Sequence, residues 1–231
     1  MKMLKGSLLV CVQSYKSQMS WFWSVLLGVM SLSYLTVGLF QADVKIILSF
    51  SIPLYIFMWI IGSKFLTRTF NYYLRFGMSR SRYMSMVGLL FLLISVFNAV
   101  LSNVFHELFD VLIGNRQNIQ IFVMHPLNIF DSTFPFLFIV ILDIFISLFC
   151  LVSGLLTNYI FYRFGIAGGY SLTGLFILAV IMVVLLEWYG KLYEWIVHTS
   201  LFVFCGVIFI ISALMYTILA IFVSKLSVVQ A

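Results

Sequence analysis

The sequence predicts an all-α, polytopic membrane protein with six transmembrane helices and both termini cytoplasmic, preceded by an amphipathic helix on the membrane surface. Three observations lead there. Of 231 residues, 64% are hydrophobic and 9% charged, with a mean hydropathy of +1.16, whereas globular domains run nearer half apolar and a quarter charged. Apolar runs long enough to cross a bilayer recur along the chain. Finally, the cations gather in alternate connections, as they do when Lys and Arg resist translocation.

Residues 1–19 are expected to form the surface helix. Leu4, Leu8, Cys11, Val12, Tyr15 and Met19 share one helical face, with Lys2, Lys5, Gln13 and Lys16 off it. A frayed cytoplasmic tail is the alternative. No small-residue cleavage site follows, so a signal peptide is not expected.

Residues 20–231 form one membrane domain. The first span is 21–40, with Trp21 and Trp23 at headgroup level and Ser24, Gly28, Ser31 and Gly38 as a small-residue stripe for helix packing. Residues 41–45 make an outer turn. The second span, 46–62, is short, and Pro53 is placed to kink it. The basic segment Lys64–Tyr83 follows as an inner loop. The third span, 84–105, carries Ser85, Gly88, Ser95, Ala99 and Ser102 at packing spacing, with Asn98 beside them. After an outer segment, 106–133, the fourth span, 134–156, holds Asp143, Ser147, Cys150 and Gly154 on one face. A second inner loop, 157–170, has Arg163 as its only charge. The fifth span is 168–186, Glu187–Trp195 is an aromatic outer turn, and the sixth span is 197–223.

This layout puts Lys2, Lys5, Lys16, Lys64, Arg68, Arg75, Arg80, Arg82, Arg163 and Lys225 inside with no acid. Outside it leaves Lys45, Arg116 and Lys191 among six acids. The net charge of +6 is thus topogenic, and nucleic acid is not an expected partner.

Chemistry-bearing patterns are few. There is no G-x-x-x-x-G-K-[ST], no H-E-x-x-H, and no G-x-S-x-G with a base nearby, so the chain is not expected to be an enzyme. His106 and Asp110 share a helix face, but no third ligand accompanies them, and no metal is expected. Cys11, Cys150 and Cys205 are too far apart for a metal pattern and read as structural. Asp143 is the one acid deep inside a span, where a carboxylate costs at least ~2.5 kcal/mol. It is either a pathway or gating residue or a structural hydrogen-bonding group with a partner such as Asn98. Asn98 and Ser147 join it as pathway or packing candidates.

The basic loop carries Lys64, Arg68, Arg75, Arg80 and Arg82 with no acid, interleaved with Phe70, Tyr72, Tyr73 and Phe76. Such a segment is at least topogenic charge beside anionic lipid. Aromatic–Arg surfaces are also favoured at protein interfaces. The second inner loop echoes it: Asn71-Tyr72, Arg75-Phe76-Gly77 and Tyr83 have counterparts in Asn158-Tyr159, Arg163-Phe164-Gly165 and Tyr170.

At Arg75–Tyr83 the chain resembles the permease subunits of ABC-2-type exporters. These carry a Gly- or Pro-x-Ser-Arg-x-x-aromatic segment after the second span, matched here by Gly77, Ser79, Arg80 and Tyr83. The resemblance implies a half-transporter: two permease copies, or a copy and a paralogue, with separate cytoplasmic ABC ATPase subunits that bind ATP and Mg. It implies a coupling loop of Arg68, Tyr72, Tyr73, Arg75, Phe76, Gly77, Met78, Ser79 and Arg80, with Tyr159, Arg163, Phe164 and Gly165 in the second inner loop. No cofactor is expected in this chain. The layout looks most like small bacterial exporters of amphipathic peptides, toxins or drugs in the cell membrane. The alternatives are a non-transporting adaptor or immunity-type membrane protein, and a secondary transporter.

Overall fold

Two structural rules shape this chain: bilayer-exposed backbone must satisfy its own hydrogen bonds, and nothing obliges a helix to stop where its apolar stretch stops. The computed structural model describes residues 2–40, 46–114, 121–123, 125 and 135–225. In chain order these form α1 (Lys2–Phe40), β1 (Ile46–Leu48), α2 (Ser51–Arg75), α3 (Arg80–Gly114), β2 (Ile121–Val123), α4 (Phe136–Leu185), α5 (Trp188–His198) and α6 (Leu201–Ser224). Among the described residues, four stretches are long and apolar enough to cross a membrane: Tyr15–Thr36, Arg80–Leu112, Phe136–Leu185 and Leu201–Ser224. The chain is thus a helical membrane protein of the multi-pass kind.

Several expected boundaries move. The surface helix and the first span are one continuous helix, α1, with no break near residue 20. The side chains of Leu4, Leu8, Cys11 and Val12 lie outside the described residues, but Tyr15 is buried while Gln13 and Lys16 are exposed. Residues 46–48 do not open the second span. They pair in parallel with 121–123 as a two-stranded ribbon, Ile46 opposite Ile121 and Leu48 opposite Val123, so among the described residues the architecture is helical but for this ribbon. Pro53, expected to kink the second span, sits in the first turn of α2, where its missing N–H has no helical acceptor to lose. The outer turn at 41–45, together with Arg116 and Asp131, lies outside the described residues.

The largest revision concerns the inner loops. The apolar run ends at Ser63, yet α2 continues through Lys64, Arg68 and Arg75. Likewise residues 157–170 are helical within α4, broken only at Gly165 (φ 65°, ψ −156°). That break is a sharp bend. The Phe161 ring occupies the space beside Gly169 that a side chain there would need, although eight residues of straight helix would hold the two about 12 Å apart. The stretches expected as the fourth and fifth spans are therefore joined within the one helix α4. The aromatic turn at 187–195 is in fact helical from Trp188 onward, as α5.

The chain divides into two compact units. The first contains residues 1–57 and 92–144. Here α1 presents Trp23, Leu26 and Met30, all buried, at helical spacing. Trp23 packs against Phe105 of α3 at 5.4 Å between ring centroids, and Phe22 stacks on Phe57 of α2 at 4.0 Å. The small-residue stripe was expected to pack, but Ser24, Gly28 and Ser31 are exposed. Of the two tryptophans expected at headgroup level, Trp21 is exposed and Trp23 is buried.

The second unit contains residues 58–91 and 145–231. In it α2 crosses α4 where Gly62 meets the backbone of Leu151 and Gly154 meets that of Trp59 and Ser63. Small residues permit such backbone approach where lipid supplies no hydrophobic drive. Tyr216 of α6 donates to the Met84 carbonyl of α3. The second arm of α4 exposes Leu175, Phe176 and Leu178, apolar surface suited to lipid or another apolar face.

Candidate functional site

Two groupings of polar residues stand out, one in each unit. In the first unit, Asp143 is fully buried on α4. Tyr55 of α2 donates to its Oδ1, and Asn103 Nδ2 of α3 donates to its Oδ2 at 2.7 Å. His125 Nε2 lies 3.1 Å from Oδ1 and 3.3 Å from Oδ2. The carboxyl group thus meets three polar partners from three separate segments. Close by on α3, His106 Nδ1 pairs with Asp110 Oδ2 at 3.1 Å, and the His106 and His125 rings are 5.9 Å apart in an edge-on arrangement. Among the described residues, no group of three or more His, Cys, Asp or Glu side chains could hold a metal ion.

Sequence reasoning singled out Asp143 but named the wrong companion. Asn98 does not reach it: its Oδ1 accepts from Trp23 Nε1 at 2.9 Å and its Nδ2 donates to the Ile94 carbonyl. Asn98 thus ties α1 to α3. Ser147, one turn along α4, is buried with its Oγ unpartnered among the described residues. The residues missed were Tyr55, Asn103 and His125. One signal was available, because Asn103, His106 and Asp110 recur at i, i+3 and i+7 as a polar stripe on an otherwise apolar helix.

In the second unit, the segment matched to the exporter motif forms the corner between α2 and α3. Gly77 has φ 78°. Its N–H bonds the Leu74 carbonyl, and the Met78 N–H bonds that of Tyr73. This pairing closes a helix C-terminus around a left-handed glycine. Ser79 then starts α3, its carbonyl accepting from Tyr83 N–H and its Oγ from Arg82 N–H. Tyr83 packs edge-on against Phe70 at 5.3 Å and shares a 2.7 Å hydrogen bond with Thr69 Oγ1. Arg80 Nη1 donates to the Ser224 carbonyl at the end of α6, where a cation also meets the negative end of the helix dipole. Each motif residue has a structural task in this corner.

The two echoing segments are brought together, though as paired helices and not as loops. Asn158 of α4 accepts from the Thr67 N–H at 3.1 Å and donates to the Ser63 carbonyl, both on α2. In return, Tyr162 of α4 donates to Asn71 Oδ1 of α2 at 3.1 Å. Tyr73 and Tyr159, expected in a docking loop, are buried, and Met78 is half-buried. Arg68, Tyr72, Arg75, Phe76, Gly77, Ser79 and Arg82 stay exposed on one side of the pair, and Arg163, Phe164 and Gly165 on the other. Phe76 is 64% exposed and Phe164 59%, far above what packing helices leave free. Arg163 donates to Tyr159 Oη at 2.7 Å and lies over the Phe164 ring.

The chain matches no protein-family model, no curated protein and no solved structure. Its own geometry therefore carries the functional argument.

Proposed function

We propose that the chain is the membrane-spanning permease subunit of an ATP-driven ABC exporter, moving amphipathic peptides, toxins or hydrophobic drugs out of a bacterial cell. In this proposal it crosses the membrane six times with both termini inside, the two arms of α4 counting as separate spans. It pairs with a second copy or a paralogue, and cytoplasmic ATPase subunits supply ATP and Mg. The observation that carries the proposal is the exposed basic and aromatic surface formed by Tyr72, Arg75, Phe76 and Arg82, with Arg163 and Phe164 on the partner helix of the same unit. Exposed aromatics among arginines favour a protein partner over water, and the Asn158 and Tyr162 bonds hold their supporting helices together.

The test is purification from native membranes in mild detergent, with identification of co-purifying subunits and an ATPase assay. A stoichiometric nucleotide-binding partner is expected, retained by the wild type and lost on Arg75→Glu or Phe76→Ala while the protein stays in the membrane. A protein that emerges alone in several mild detergents would overturn the exporter assignment and leave the adaptor. The Asp143 centre favours a different alternative, secondary transport, because intramembrane acids mark ion and proton pathways. Gradient-driven substrate uptake into proteoliposomes without nucleotide would select it.

A further inference from the structure

The four ionisable groups Asp110, His106, His125 and Asp143 form a series of declining exposure. Their side chains are 48%, 15%, 5% and 0% exposed, in that order. Acid and imidazole are joined at each end, Asp110 to His106 at 3.1 Å and His125 to Asp143 at 3.1 Å. In the middle the two imidazole rings meet edge-on, their centroids 5.9 Å apart. His106 Nε2, the ring nitrogen not used by Asp110, is buried and has no hydrogen-bond partner among the described residues. A purely structural cluster has little reason to leave a buried ring nitrogen unpaired, since that forfeits the group's hydration with no return. Imidazole, which takes a proton on one nitrogen and releases one from the other, is the side chain suited to passing protons.

We propose that Asp143 is a buried proton-binding site that exchanges with water through Asp110, His106 and His125. The bonds made and broken are O–H and N–H only. A proton from bulk water binds Asp110 and passes to His106 Nδ1. His106 releases one from Nε2 to His125, directly after a ring rotation or through one water. His125 then delivers the Nε2 proton to an Asp143 oxygen. One proton enters, one carboxylate is neutralised, and both imidazoles end neutral. Among the described residues, the titratable groups around the site are Tyr55 on α2, which donates to Asp143, and His106, Asp110 and the exposed Glu107 on α3, together with His125. Asn103 contributes a fixed donor that keeps the carboxyl oriented in either protonation state. Protonation removes the acceptor charge that holds Tyr55, Asn103 and His125 to one point. The site thereby links proton binding to the mutual hold of α2, α3, α4 and the segment bearing His125. The site stands apart from the exporter proposal, since it needs neither an ATPase nor the basic surface.

The experiment is time-resolved infrared spectroscopy on the full-length protein in lipid nanodiscs, with protons released by a flash from a caged acid. The expected result is a carboxylic C=O band that rises with acidification and is absent in Asp143→Asn. In Asp110→Asn and His106→Phe the same band should reach the same final amplitude at least tenfold more slowly. Asp110 is half-exposed, so its variant tests the path without disturbing the core, and circular dichroism confirms the helix content of each. A merely structural cluster would change amplitude or fold and leave the rate alone. An unchanged rate in either variant, or no band removed by Asp143→Asn, overturns the proposal.

Discussion

The α2–α4 crossing rests on two glycines, and adding a single methyl group there tests it directly. A methyl on Gly154 would lie 2.8 Å from Ser63 N and press on the Trp59 carbonyl. A methyl on Gly62 would lie 3.0 Å from the Leu151 carbonyl carbon and 3.1 Å from Leu155 N. These neighbours are backbone, which cannot turn aside as a side chain would. To restore ordinary contact at roughly 3.5–4 Å, the helices must part by on the order of 1 Å. Overpacking of this kind costs about 1–3 kcal/mol. Parting the helices also stretches the Asn158 bonds to Thr67 and Ser63 one turn away, where interhelical hydrogen bonds in membranes average ~0.6 kcal/mol. Gly154→Ala and Gly62→Ala should therefore each destabilise the protein by about 1–3 kcal/mol. The double variant should lose well under the sum, because one displacement relieves both clashes. The assay is equilibrium unfolding in mixed SDS–detergent micelles followed by tryptophan fluorescence. Gly28→Ala, with no atom of the described residues within 4 Å of the added methyl, is the control and should match the wild type or exceed it slightly. If Gly154→Ala unfolds together with Gly28→Ala, the crossing is not set by backbone contact and the reasoning fails.

Two further outcomes follow from single contacts. Trp23→Phe removes the donor to Asn98 Oδ1 and leaves a buried carbonyl oxygen unsatisfied, which should cost about 1–3 kcal/mol; Trp21→Phe, at a site 72% exposed, should be neutral in the same unfolding assay. At the bend in α4, Gly165 adopts a φ/ψ pair open essentially to glycine alone, so Gly165→Ala should cost about 1–3 kcal/mol, and a melting temperature equal to that of wild type would contradict the bend.

What could be read from the sequence followed from periodicity and composition. The four apolar stretches were legible because lipid imposes a length and a hydropathy on anything that crosses it. Of the packing stripe expected on α3, Ser95, Ala99 and Ser102 are buried with Asn98 beside them, whereas Ser85 is exposed. Helix ends were not legible. Apolar runs mark where lipid ends, whereas α1, α2 and α3 continue past those points because hydrogen bonding along a helix is indifferent to the polarity of its side chains. The basic segment read as a loop for this reason, when only residues 76–79 lie outside α2 and α3.

The sequence by itself determined that the chain is a helical membrane protein and that Asp143 is its exceptional acid, because both facts are one-dimensional: a run of apolar residues and a charge inside it. Only the tertiary structure decided Asp143's companions. Tyr55, Asn103 and His125 come from positions up to 88 residues away, and which donors converge on a buried carboxyl depends on how helices pack. It also decided between two fates for the echoing segments, because helical rotation buries Tyr73 and Tyr159 and leaves Phe76 and Phe164 exposed. Packing of helix against helix, which depends on shape in three dimensions, is the physical step that a linear pattern does not contain.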